Sequence, residues 1–336
     1  MTRSLTPITA AIPLCLLLAS CTDGITKPED ADGRSASEDA AVVSNRWITR
    51  ANLPGTERFD LATAAVTNAA GQWVLYAIGG EAAGGGSLTK VQAYNVVTNT
   101  WSNRAPLPAP RHSTNGAGVI GGKIYVTGGI EGNDDFRDEL FVYDPATDTW
   151  TEKSPMPTQG FRGVTGVIDG KLYVFTNCDQ ENCFDFVSRA LYRYDPAADQ
   201  WTVLAPPNFL HDWGYGSVIG GKFYLTGGSN ALEAYDPATG TWTTRAPLPR
   251  RRWLGASAAL GGELYVIGGF IERGNGTIEA IRTVSVYNPV SNTWRRAAPV
   301  PEAFIALSAS RVALDGKPRI HVVGGPRPGN NRAYVP

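Results

Sequence analysis

Residues 113–157 read STNGAGVIGGKIYVTGGIEGNDDFRDELFVYDPATDTWTEKSPMP. Four short runs, STNGAGVI, KIYVTGG, ELFVYD and WTEKSPMP, are rich in β-branched, small and aromatic residues, and Gly, Pro, Asn and Asp separate them. That alternation predicts a meander of four antiparallel strands. In Tyr143-Asp144-Pro145 the Asp side chain can hydrogen-bond back into its own turn, the Pro presets φ, and Trp150 opens the next strand beside the Tyr. A Tyr and a Trp on neighbouring strands bury a large apolar area, so the pair is expected to fix the core of the unit.

The unit recurs. Tyr94 and Trp101, Tyr143 and Trp150, Tyr194 and Trp201, Tyr235 and Trp242, and Tyr287 and Trp294 are each seven residues apart. Gly pairs close an apolar run at 79–80, 128–129, 227–228, 268–269 and 324–325, and Thr176-Asn177 takes that place in the third block. Successive Trp residues are 41 to 54 positions apart, too long for a helical-hairpin repeat and suited to a four-stranded propeller blade. The Gly doublet, the Tyr, the turn Asp-Pro-x-Thr at 144–147 and 236–239, and the Trp together resemble the Kelch repeat. The resemblance runs from about residue 45 to the C-terminus and implies an all-β Kelch-type propeller. It departs locally at Asn95-Val96-Val97 and at the missing third doublet. A fold of this kind says little by itself about chemistry.

Blade number follows from the two ends. Trp47 has the usual Pro54 after it but Ala40 where a Tyr is expected; Tyr334 follows the last Gly pair but would need a Trp beyond Pro336. Each end lacks what the other has. Six blades are therefore expected, with residues near 46–53 supplying the fourth strand of the blade begun by 303–336 and leaving no open sheet edge. A ring of this size absorbs as one domain a length that would otherwise suggest two.

Of the 336 residues 18% are charged and the net charge is −1, so nothing in the electrostatics calls for a nucleic-acid partner. The N-terminus carries Arg3, an apolar stretch from Ile8 to Leu18, and Leu18-Ala19-Ser20-Cys21, an export segment too short to span a bilayer as a helix. Leu-Ala-Ser-Cys resembles a bacterial lipobox, which implies that Cys21 is acylated and anchors the chain. The resulting organisation is a signal peptide at 1–20, an acidic, Ser- and Ala-rich tether at 21–45 and the propeller at 46–336. The implied address is that of an exported bacterial lipoprotein, at the outer membrane, in the periplasm or on the cell surface. Thr22 after the Cys, rather than Asp, favours the outer membrane by analogy with lipoprotein sorting. In an exported chain Cys178 and Cys183, within NCDQENC, are expected to form a disulfide that stiffens a loop where the Gly doublet is missing.

In a four-stranded meander the second and fourth strands end on one face, so the loops after the Gly doublets and the loops leading into each first strand lie together there. Counted from the second residue of each pair, the distance to the Tyr is 14, 14, 17, 7 and 18 residues, whereas the turns of the opposite face vary little. Variable loops on a rigid scaffold are where binding is expected. The lead-in loops carry Arg58, Arg111, His112, Arg162, His211, Trp213, Arg252 and Trp253, with Phe59, Phe161 and Phe304 among them. Glu131, Asp134, Asp135, Asp179, Glu181 and Glu272 lie in the longer loops. The expected site is a cationic, aromatic-lined pocket at the ring axis inside a more acidic rim, with Arg forking onto carboxylates and Trp stacking on sugar rings. The alternative for Arg58 and Arg111, that they satisfy backbone carbonyls within a blade, stays open.

Three function classes follow. A non-catalytic binding module for a protein or glycan near the membrane needs only those loops. A sugar-modifying enzyme similar to the Kelch-type sialic acid mutarotases would suit the Arg and Trp inventory, with His211 and Asp212 as the candidate catalytic pair. A copper-radical oxidase of the galactose oxidase type would need a Tyr joined to a Cys and two His ligands, for which three His and two paired thiols are a poor supply. No phosphate loop, G-x-S-x-G elbow or paired-His motif is present, and neither a metal nor a cofactor is expected.

Overall fold

The computed structural model describes residues 45–55, 57–177, 189–274, 276–303, 305, 307–325 and 330–336. The export segment with Cys21, nearly all of the tether, the Cys178 and Cys183 pair, Asp179, Glu181 and Phe304 lie outside the described residues. Every element among the described residues is a strand.

Six four-stranded antiparallel sheets form among these residues. Blade two shows the order foreseen from 113–157: strands Ala117–Ile120, Lys123–Thr127, Leu140–Asp144 and Thr149–Lys153 follow one another across the sheet. Blade six is assembled from both ends, with Arg46–Thr49 paired to Asn331–Val335 so that Trp47 lies opposite Tyr334. The first strands of neighbouring blades touch all the way round, which closes the ring. They are built from small residues because they crowd the axis. A Cβ on Gly118 of blade two would lie 2.3 Å from Leu172 Cδ1 of blade three.

The spacing of seven now has a physical account. It places the Tyr and the Trp directly opposite across the third and fourth strands, with ring centroids 5.1 Å apart for Tyr94 and Trp101 and 4.9 Å for Tyr143 and Trp150. Five residues after the Tyr stands an Asn or Asp with positive φ, such as Asp148 at 54°. Its carboxylate accepts both the Tyr143 hydroxyl and the Ala105 N–H of the preceding blade, the latter at 2.9 Å, while Trp150 Nε1 donates to Ala105 O at 2.9 Å. One residue of the preceding blade is thus held at both its backbone groups. The same latch recurs with Asn99, Asp199, Asn292 and Asn45. Each second strand adds an aromatic contact to the Tyr of the next blade, as in Tyr76 with Tyr143 at 5.5 Å. In blade six His321 takes that place, 5.6 Å from Tyr94.

Candidate functional site

Lead-in loops and post-doublet loops do share one face, and they pair there. Arg58–Phe59 forms a two-residue ladder with Glu81–Ala82, and isolated bridges join His112 to Ile130 and Trp253 to Phe270. The pairing anchors the lead-in loops at 58–59, 112 and 253 to the post-doublet segments.

In four blades the first lead-in position turns into the blade wall. Arg58, Arg111, His211 and Arg252 are 4%, 1%, 1% and 1% exposed. Each meets the residue two before the blade's Tyr: Arg58 Nη1 donates to Gln92 Oε1 at 3.2 Å, Arg111 lies 5.7 Å from the Phe141 ring, His211 Nε2 donates to Glu233 Oε2 at 3.0 Å, and Arg252 donates to Ser285 Oγ. Arg111 also pairs with Glu131 at 2.9 Å and Glu139 at 3.0 Å, and Arg252 donates to the carbonyls of Gly268 and Thr283. His112 is buried as well and shares a hydrogen bond with Ser87 Oγ at 2.8 Å. The expected cationic pocket is therefore corrected. These five side chains hold loops to blades, and loop placement in the sequence did not disclose side-chain direction. His211, bound to Glu233 with both side chains at 0% exposure, has no opening through which to move a substrate proton.

The third lead-in position does face the axis. Asp60, Ser113, Arg162, Trp213 and Leu254 are equivalent residues of five successive blades, and all have left-handed φ, between 48° and 52°. Non-glycine residues take this conformation at a cost on the order of 1 kcal/mol or more each and gather at sites where the surroundings enforce it. A cavity of about 180 Å³ opens between them, walled by all six first strands.

A polar network spans four of its blades. Ser113 N–H donates to Asp60 O at 2.9 Å and Arg162 N–H to Ser113 O at 2.7 Å. The side chains repeat the connection: Ser113 Oγ donates to Asp60 Oδ2 at 2.8 Å, Arg162 Nη2 to the same oxygen at 3.2 Å, and Arg162 Nε to Ser113 Oγ at 3.2 Å. The guanidinium lies 4.7 Å over the Trp213 ring. Two more carboxyls stand close by. Burial pushes Glu81 up, helped by the charge of Asp60 and opposed by Arg162. Burial also pushes Asp212 up against the pull of Arg162 and Arg251, and its Oδ1 is buried without a hydrogen-bond partner. Trp253 sits further out, under the Arg251 guanidinium at 4.6 Å.

Of the residues expected from the sequence, the structure brings Arg162 and Trp213 together at the axis with Asp212 beside them. Asp60, Ser113 and Leu254 were missed. They share no residue type, and only their equal offset from the first lead-in residue marks them. Among the described residues no group of three His, Cys, Asp or Glu side chains is placed to hold a metal ion.

A model of the KLHDC2/KLHL20/DRC7 Kelch-repeats domain matches residues 42–228, and a Kelch motif model matches residues 254–301. The chain is 34% identical over 136 residues to human Kelch-like protein 34, covering 39% of this chain and 20% of that protein. It is 31% identical over 151 residues to Kelch-like protein terF of Aspergillus terreus, covering 41% and 32%, respectively. Human Kelch repeat and BTB domain-containing protein 12 is 27% identical over 145 residues, covering 42% and 17%. The chain thus spans a third or less of the length of these relatives. The solved structure of YjhT superposes with a TM-score of 0.65 at 18% identity, covering 84% of this chain and 95% of that one, a likeness of fold.

Proposed function

The chain belongs to the Kelch-repeat family, and from that premise we propose that it is a binding module that grips its ligand on the loop face, centred on the axial cup of Asp60, Ser113, Arg162 and Trp213. The observation that carries this reading is the network itself. Four consecutive blades bring a carboxylate, a hydroxyl, a guanidinium and an indole into one shared opening, joined by hydrogen bonds and a cation–π contact. Binding needs no proton transfer, in keeping with the closed environment of His211.

The proposal extends to where the module works. Leu18-Ala19-Ser20-Cys21 supports acylation at Cys21, the acidic stretch to residue 45 supports a flexible tether, and Cys178 with Cys183 suits an oxidising compartment. A protein or glycan ligand would then be held near a bacterial membrane surface.

The test is an array of soluble glycans and peptides read with wild type and with an Arg162→Ala/Trp213→Ala double variant. Ligands bound by wild type should be lost from the variant while its thermal unfolding stays cooperative. A variant that keeps every ligand would remove the cup from the reading. Membrane fractionation of Cys21→Ser checks the anchor: the substituted protein should leave the membrane fraction.

A further inference from the structure

We propose that blade three pairs edge to edge with the same blade of a second copy of this chain, through its outer strand Gln200–Leu204. The surface is separate from the axial cup.

Two departures from the repeat meet in residues 200–210. The residue two after each repeat Trp is exposed in all six blades, and in five of them it is polar: Thr49, Asn103, Glu152, Thr244 and Arg296. In blade three it is Val203, 62% exposed. The two residues ahead of the first lead-in position are Thr158 and Gln159 in blade three and Arg250 and Arg251 in blade five. Ahead of His211 in blade four they are Phe209 and Leu210, 43% and 41% exposed. Among the described residues six large apolar side chains are exposed, and three of them fall within these eight positions. Apolar surface concentrated in this way marks an interaction site, where scattered single residues do not.

The strand edge beside them is open. Gln200–Leu204 ends its sheet, and among the described residues it pairs with Ala190–Asp195 alone, so alternate N–H and C=O groups point outward. Charged side chains commonly guard such edges. Arg46, Arg104, Lys153, Arg245 and Arg295 lie on the outer strands of the other five blades, whereas Gln200–Leu204 carries no charge. Pro206 and Pro207 have no N–H to donate and bound the open edge just past its end.

A second copy fits this edge. An antiparallel pair of identical strands is self-complementary under a two-fold axis. Centred on Thr202, it sets Trp201 of one copy opposite Val203 of the other, an aromatic and β-branched pair on one face of the joined sheet. The same operation centred on Arg295 in blade five would set that guanidinium against its own copy. A charged partner finds no opposite charge on Gln200–Leu204, and lipid has no backbone groups to satisfy its outward N–H and C=O. A five-residue ladder is small beside the about 1,200 Å² that stable interfaces bury, so association is expected in the micromolar range, with Phe209 and Leu210 extending the apolar border past Leu204.

The experiment is sedimentation of the full-length protein across roughly 1 to 100 µM, where monomer should pass to dimer. Val203→Lys should weaken association at least tenfold, and Thr244→Lys, at the equivalent exposed place in blade four, should leave it unchanged. Amide hydrogen exchange locates the contact: protection at 200–204 should rise with concentration in wild type and not in Val203→Lys. Protein that stays monomeric throughout, a dimer that Val203→Lys leaves as tight as wild type, or one that both lysines weaken equally overturns the proposal. A monomer that sediments with phosphatidylcholine vesicles, and ceases to in Phe209→Ser/Leu210→Ser, would assign the apolar residues to a lipid surface and overturns it as well. Any ligand gripped through Arg162 and Trp213 should bind Val203→Lys as it binds wild type, so the fate of the edge and that of the cup are read apart.

Discussion

The Tyr334 hydroxyl donates to Asn45 Oδ1 at 2.7 Å, across 289 positions of chain. The same oxygen accepts the Ala298 N–H at 2.9 Å, and Trp47 Nε1 donates to Ala298 O at 2.9 Å. Ring closure therefore uses the latch found at internal seams, with its Tyr at one end of the chain and its Trp and Asn at the other. A propeller closed this way has no distinct clasp, and its closing seam should be as strong as an ordinary one.

Trp47→Ala tests that equality. It removes the indole pair with Tyr334, at 5.3 Å, and the bond to Ala298, and should cost about 3 kcal/mol, the low end for a large aromatic because the ring is partly exposed. Trp150→Ala at an internal seam should cost the same within about 1 kcal/mol in urea unfolding. A Trp47→Ala protein that unfolds like wild type would show that the N-terminal strand does not close the ring.

The seam between blades three and four lacks part of the latch. Gly240 stands where the other blades place Asn or Asp, its φ is +69°, and a Cβ there would lie 4.0 Å from the Tyr235 hydroxyl. Trp242 still donates to Ala205 O at 2.8 Å. Gly240→Asn suits the left-handed backbone and restores an acceptor for Tyr235 and for the Ala205 N–H, so stability should rise by about 1 kcal/mol. A fall in the unfolding midpoint would mean that this seam is spaced differently from the other five.

The propeller was legible because its determinants are periodic. Tyr143, Trp150 and the Gly doublets lie at fixed offsets, and periodicity survives local departures such as Thr176-Asn177. Even the closure could be read, since Trp47 and Tyr334 are each visibly half of a pair. The site was legible only as a face. Arg58 and Arg162 both belong to lead-in loops, yet one is buried against Gln92 and the other stands at the axis, because they occupy the first and third positions of their loops. That difference is expressed in long-range contacts, Arg58 to Gln92 and Arg162 to Asp60 and Trp213, that composition does not encode. Asp60 and Ser113 were invisible for the same reason.

His321 makes one seam sensitive to acid. Burial pulls its pKa down to about 4, with the bond to Asn331 opposing and Arg50 and Arg319 adding to the shift. Unfolded, the ring titrates near its ordinary value of about 6.5, so between these values the unfolded chain binds the extra proton. Stability is therefore fully present above about 6.5 and falls as the pH drops toward 4, by roughly 3 kcal/mol for this group alone. The other blades carry Tyr76, Tyr125, Tyr173, Tyr224 and Tyr265 at this position. His321→Tyr should flatten the loss between pH 6.5 and 4 relative to wild type in urea titrations at each pH. Identical slopes for the two proteins would exclude His321 as the cause.

Arg111 and Arg162 should separate stability from binding. Arg111 is 1% exposed and holds Glu131 and Glu139; Glu131 keeps Arg137 at 2.8 Å, so Arg111→Met leaves Glu139 without this partner beside a blade wall and should cost about 3 kcal/mol. Arg162 is more open, with its side chain 21% exposed, and its ion pair with Asp60 at 3.2 Å reaches across the cup rather than into a blade. Arg162→Ala should cost only about 1 kcal/mol, since Ser113 still donates to Asp60. Its effect should fall on the ligand instead. The substitution removes the cation that donates to Asp60 and stacks on Trp213, so a ligand held in the cup loses a donor. A ligand that wild type binds should therefore bind Arg162→Ala at least tenfold more weakly, while the variant unfolds within about 1 kcal/mol of wild type. A ligand that binds Arg162→Ala as tightly as wild type would show that Arg162 takes no part in the grip.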